Sequence, residues 1–460
     1  MDNLNGYKAF EPGMICKGKQ YQENTDYEED GGEICEKGMM HYCVNPFDVL
    51  NFYPLVNDSG KVSDFAAVKS LEDPVSGDDG KFATKKLHIG VKLGLAGFVN
   101  ACIDYIKKET IVNAPSSTVE SNYAKIDSSG NSAQIGSSGN SAQIGSSGYY
   151  AQIGSSGDSA KIGSSGDYAQ IGSSGYYAKI GSSGYYAQIG SSGYYAQIGS
   201  SGDSAKIGGS GDYAQIGSSG DYAQIGSSGY YAKIGSSGDS AKIGSSGDYA
   251  QIGSSGDYAQ IESSGYYAKI GSSGNSAQIG SSGNYAQIGS SGYSAKIGSS
   301  GNSAKIGSSG NSAQIGSSGD SAQIGSSGDS AKIGSSGDYA QIGSSGNYAQ
   351  IGSSGDSAQI GSSGYSAKIG SSGNSAQIGS SGDYAQIESS GEDSVICCSG
   401  DRSIVKAKLG SWITLAEWKY SEEKDRMVPQ FVKTEFVDGE KIKADTWYKL
   451  FNGEFTEVSP

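Results

Sequence analysis

From Ile126 to Ile387 an isoleucine stands at every ninth position, and an alanine always precedes it by two. The nine-residue consensus reads Gly-Ser-Ser-Gly-(Asp/Asn/Tyr)-(Ser/Tyr)-Ala-(Gln/Lys)-Ile, here numbered one to nine, and its Ala-(Gln/Lys)-Ile recurs thirty times. In a strand, alternate side chains point to opposite faces. Ala and Ile therefore share a face, and their constancy marks it as the interior. The variable Ser/Tyr and Gln/Lys positions share the outer face. Gly-Ser-Ser-Gly is then the corner, with glycine supplying the positive φ of a tight turn.

A single nonapeptide buries too little to fold alone, so neighbours must stack. Two nonapeptides closing one coil of 18 residues, with two opposed short strands, predict an all-β parallel solenoid of about 15 coils and roughly 70 Å. The lysines at position eight support that period. Residues 18 apart would stack directly, and like charges there repel. Of the eleven array lysines only Lys161 and Lys179 stand 18 apart, fewer than random placement gives. The aspartates at position five show no such avoidance, which suits a turn position splayed toward water.

The predicted organisation is an α+β N-terminal cap over 1–121, the solenoid over 122–396 and a β-rich C-terminal cap over 397–460. In the first flank, 45–52 reads as a short helix with Asn45 as cap and Pro46 in its first turn. Residues 85–91 and 110–112 read as strands, and 95–107 as a helix. The cap is expected to cover the first coil. In the second flank Ile396 and Val405 keep the isoleucine register, and 403–409, 411–420, 430–437 and 446–451 read as strands. Such caps protect the open strand edges of a solenoid.

The net charge is −15. It disfavours nucleic-acid partners and anionic membranes. At positions one and five the repeats hold sixteen acids against eleven lysines at position eight, a charge near −5, so most of the excess lies in the flanks. No basic-then-apolar leader opens the chain and no run of 18 apolar residues occurs, so the expected location is cytoplasmic, with reduced cysteines.

The segments Gly6-Tyr7-Lys8-Ala9-Phe10, Cys16-Lys17-Gly18-Lys19-Gln20-Tyr21 and Tyr42-Cys43-Val44-Asn45-Pro46-Phe47-Asp48-Val49-Leu50-Asn51 resemble an N-terminal domain of uncharacterised proteins from Firmicutes and their phages. Some of these also carry nonapeptide arrays. The resemblance implies a bacterial or phage origin and no particular activity.

Candidate chemistry is sparse. Calcium-binding nonapeptides place Asp where this array has Ser or Tyr. Cys16, Cys35, His41 and Cys43 lack the close Cys pairs of a zinc site, and Cys397-Cys398 reads as packing. The array has no His or Cys to activate its serines. No cofactor, metal or catalytic group is expected, and the chain reads as a non-enzyme. The leading expectation is a scaffold displaying Tyr, Asp and Lys columns to a protein or glycan partner. The candidate surface is Tyr150, Tyr168, Tyr177, Tyr186, Tyr195, Tyr213, Tyr222 and Tyr231. Alternatives are a phage decoy of a host defence protein, a surface adhesin or fibre, and an ice-binding protein. The first is weakened by a charge density far below that of duplex DNA, the last by an array without Thr.

Overall fold

The structure, a computed structural model, describes residues 5–30, 39–57, 60–76, 80–109 and 116–460. It is nearly all β. About 16 turns of about 18 residues form a parallel β-solenoid, and the chain divides into two compact units, Met1–Ala259 and Gln260–Pro460.

The repeat explains the coil. Each nonapeptide yields one four-residue strand made of positions eight, nine, one and two, as in Gln143–Ser146 and Gln152–Ser155. Strands pair in register with those 18 residues away, Ile144 beside Ile162 and Ile153 beside Ile171. Isoleucine thus stacks on isoleucine and serine on serine, save where Gly209 stands in the serine column between Ser191 and Ser227. In Met1–Ala259 the strands form two faces, one beginning with Lys125–Ser128 and one with Ser116–Val119. In Gln260–Pro460 they form a face beginning with Gln260–Ser263 and one beginning with Lys269–Ser272.

The corner differs from the sequence expectation in two ways. Positions one and two belong to the strand, and the position-two serine points inward. Ser146, Ser164 and Ser182 are fully buried, and Ser146 Oγ accepts from Gly148 N at 3.3 Å. Each coil interior therefore holds two Ile, two Ala and two Ser. Burying an isoleucine is worth about 1.5–3 kcal/mol, so that interior is thin and the stacking ladder must carry part of the stability. The corner itself runs from position four to position seven, closed by bonds such as Ala331 N to Gly328 O at 3.3 Å. Position six therefore lies in the turn, not on a strand face with Gln/Lys.

The second correction concerns glycine. No array glycine has a positive φ. Position four is glycine because successive corners touch: a Cβ on Gly328 would lie 1.9 Å from the Gly310 carbonyl oxygen of the coil before it. From Tyr285 onward, many position-six residues take the left-handed conformation instead, Ser303, Ser321 and Tyr339 among them at φ +57. At these corners the peptide after position five is turned over. Ser321 N donates to Asp338 O of the following coil, whereas Ser330 N at an ordinary corner donates to Asn311 O of the preceding one. An Asn or Asp at position five uses the change: Asp338 Oδ1 accepts from Asp356 N at 2.9 Å, and Asp356 Oδ1 from Asn374 N at 2.7 Å.

The N-terminal domain is a seven-stranded antiparallel sheet whose central strands are Asp64–Ser70, Asn5–Phe10 and Met40–Cys43. The 45–52 segment forms a 3-10 helix, Pro46–Asn51, whose cap Asn45 accepts from Phe47 N at 3.1 Å. Helix α1 spans Gly94–Glu109. The strand expected at 110–112 lies outside the described residues. One face of the sheet packs Phe10, Tyr21, Tyr42 and Leu87. The other packs Phe65 on Phe98 of α1, ring centroids 3.9 Å apart.

In the second unit, Ile396 and Val405 continue the interior column, and Cys398 takes a serine's place inside it. Cys397 points outward and is exposed, so only one of the pair packs. The ends of both faces turn antiparallel. Trp412–Ser421 pairs with Arg426–Phe436, and Trp447–Phe451 with Glu454–Glu457, a strand that the sequence pattern does not mark. These hairpins replace the exposed parallel edge.

Candidate functional site

Outward-facing positions decide what the surface can do. On each strand these are position eight, Gln or Lys, and position one, almost always Gly. Each face is thus a flat glycine floor beside a rail of amides and ammoniums. On the Lys125 face of the first unit that floor is occupied. The N-terminal domain lies along this face, over one coil after another. Its helix α1 lies across the strands with Ile106, Ile103, Val99 and Leu95 facing the floor. A Cβ on Gly145 would fall 2.9 Å from Ile106 Cγ2, on Gly163 3.3 Å from Ile103 Cγ1, and on Gly217 3.2 Å from Leu95 Cδ2. Beyond the helix, Val62 meets Gly235, and the Gly60 backbone meets Gly253. The fit is commensurate. Coils repeat every ~4.8 Å, and helix residues three or four apart rise ~4.5–6 Å, so each helical turn sets one aliphatic side chain on one coil.

The rail completes the seat. Lys161 Nζ pairs with Asp48 Oδ1 at 2.9 Å. Lys179 Nζ donates to Phe47 O at 3.0 Å and Asn51 Oδ1 at 2.7 Å. Gln215 Oε1 accepts from Leu55 N at 2.8 Å. Burial lowers the Lys179 ammonium to about 8, with Lys161 adding to the effect and Asp48 opposing it. The lone stacked lysine pair of the sequence is therefore the place where the N-terminal domain supplies a carboxylate and carbonyl oxygens.

The candidate tyrosines divide between two corners. Tyr150, Tyr168, Tyr186 and Tyr222 occupy one edge; Tyr177, Tyr195, Tyr213 and Tyr231 the other. Successive rings stack at 5.4 and 5.0 Å along Tyr150, Tyr168 and Tyr186. They stack at 5.3, 5.1 and 5.0 Å along Tyr177, Tyr195, Tyr213 and Tyr231. Tyr222 is flanked along its edge by Ser204 and Ser240 and is 61% exposed. Position-five tyrosines widen the second edge, where Tyr176 stacks on Tyr194 at 5.2 Å. The eight residues thus make two aromatic edges, which sequence spacing alone does not separate.

A smaller cavity of about 290 Å³ lies within the N-terminal domain, lined by Lys8, Cys16, His41, Cys43 and Tyr53 among others. Lys8 is buried, donates to His41 O at 2.8 Å and has its pKa lowered by that burial. Cys16 Sγ and Tyr53 Oη share a hydrogen bond at 2.9 Å. Three of the four residues weighed for zinc thus line one cavity, while Cys35 lies outside the described residues. Among the described residues no three His, Cys, Asp or Glu side chains, these included, form a group that could hold a metal ion.

These features define a solenoid scaffold with a side domain seated on it. Residues 4–101 match the family model described as a domain of unknown function, DUF7666. No curated protein and no solved structure matches the chain. Among the described residues no helix is long and apolar enough to cross a membrane.

Proposed function

We propose that the chain is a non-catalytic scaffold whose solenoid presents ordered side-chain columns to a protein or glycan partner, in a bacterial or phage-infected cytoplasm. The observation that carries this reading is the pair of tyrosine edges. Ser fills position six in fourteen repeats and Tyr in sixteen, with the same coil around either, so the fold does not require the ring. Yet the rings gather in stacked, half-exposed columns, eleven of the sixteen before residue 260. Stacked phenols hold a rigid amphipathic surface at low entropic cost, which suits protein contacts and the apolar faces of sugars.

The test compares the full chain with its Tyr195→Ser, Tyr213→Ser, Tyr231→Ser variant, immobilised for a glycan array and for capture from bacterial lysate. The reading expects specific ligands that the variant loses while its far-UV circular dichroism is unchanged. Retention of every ligand by the variant would sink it.

A further inference from the structure

We infer that the Gln260 face is a docking surface for an amphipathic helix of a partner protein, about four turns long, aliphatic on one stripe and acidic beside it. This deepens the scaffold reading and rests on it, but it concerns a different surface from the tyrosine edges.

The same chain shows what such a face accepts. On the Lys125 face the glycine floor takes the aliphatic stripe of α1, and the rail takes a carboxylate and carbonyl oxygens. The Gln260 face is built from the same repeat. A Cβ added at Gly298, Gly316, Gly334 or Gly352 would meet nothing within 4 Å. These glycines floor a groove of about 1040 Å³ that ends near Trp447.

Two sequence details set the length and charge of the occupant. Of the three acidic residues that replace glycine at position one, two, Glu262 and Glu388, stand on this face. They bracket six glycines, Gly280 to Gly370, which span five coil steps, or ~24 Å. A helix of sixteen residues, the length of α1, is also ~24 Å long. The rail between the brackets carries exposed Lys296, Lys332 and Lys368, one on every second coil. That is a step of ~9.6 Å, against ~10.5 Å for residues seven apart in a helix. A carboxylate at each heptad would meet a lysine, with the small mismatch taken up by the flexible lysine stem.

The probe is a stapled four-turn peptide of Ala and Gln, with Leu on the spacing of Leu95, Val99, Ile103 and Ile106 and Glu at heptad intervals. Fluorescence anisotropy follows its binding to the full chain. Gly316→Val with Gly334→Val raises the floor where the structure leaves open space, and Lys332→Glu reverses the central charge. The inference expects saturable binding, weakened about tenfold or more by the paired valines and by the charge reversal, a loss of ~1.4 kcal/mol or more. The Tyr-to-Ser variant should bind the peptide as the parent does, which separates failure here from failure of the tyrosine reading. Absence of saturable binding, or binding indifferent to the valines, would overturn it.

Discussion

Two glycines three residues apart in one repeat should respond oppositely to the same methyl group. Gly328→Ala places Cβ 1.9 Å from Gly310 O and 2.7 Å from its carbonyl carbon. Ordinary contact needs well over 3 Å, so adjacent corners must separate by more than 1 Å. The bonds that hold them, Ser327 N to Ser308 O at 3.0 Å and Ser330 N to Asn311 O at 2.7 Å, would stretch or break. Two backbone bonds at ~0.5–1.5 kcal/mol each, with overpacking of ~1–3 kcal/mol, give a loss of about 2–6 kcal/mol. Gly325→Ala meets nothing within 4 Å and reduces unfolded-state freedom, so it should be neutral or stabilising by up to ~1 kcal/mol. Urea unfolding followed by circular dichroism measures both. Equal effects, or a larger loss at Gly325, would refute close approach as the reason for the position-four glycine.

Other consequences are equally specific. Ser321→Gly relieves a left-handed serine and should stabilise by about 1 kcal/mol, while Ser330→Gly at an ordinary corner should give no gain, as thermal melts would show. Ile324→Ala empties a buried column position and should cost about 2–5 kcal/mol in the same denaturation assay. Lys179 has a folded pKa lowered to about 8, so between there and ~10.4 the unfolded chain binds more protons and stability should rise with pH. Lys179→Met should flatten that rise in melts taken from pH 7.5 to 10.5, and an unchanged slope would contradict the assignment.

The period and the interior are legible because they depend on one repeating residue pair. Isoleucines at every ninth position and the avoidance of stacked lysines already imply the 18-residue coil. The corner is not legible in the same way, because Gly and Ser are turn residues by propensity, whereas here one glycine is needed for contact between coils and one serine is small enough to sit inside. The left-handed corners leave a partial signal. From Asn284 to Asn374 every eighteenth residue is Asn or Asp and never Tyr, a column of acceptors. Seating of the N-terminal domain along the glycine floor depends on contacts distant in sequence, from Ile106 with Gly145, 39 residues apart, to Gly60 with Gly253, 193 apart. Its one trace is the exceptional pair Lys161 and Lys179, a charge clash tolerable only with Asp48 brought beside it.

The whole account stands on residues 18 apart being neighbours on one face, and cysteine pairing reads that out directly. Gln314 and Lys332 are paired on adjacent strands, at a spacing of ~4.8 Å that a disulfide can bridge, whereas Gln323 and Lys332 lie on opposite faces. Mild oxidation should therefore close the Gln314→Cys, Lys332→Cys pair rapidly and leave the Gln323→Cys, Lys332→Cys pair open, as mapped by peptide mass spectrometry. Equal closure of the nine-residue pair, or none of the eighteen-residue pair, would contradict the solenoid.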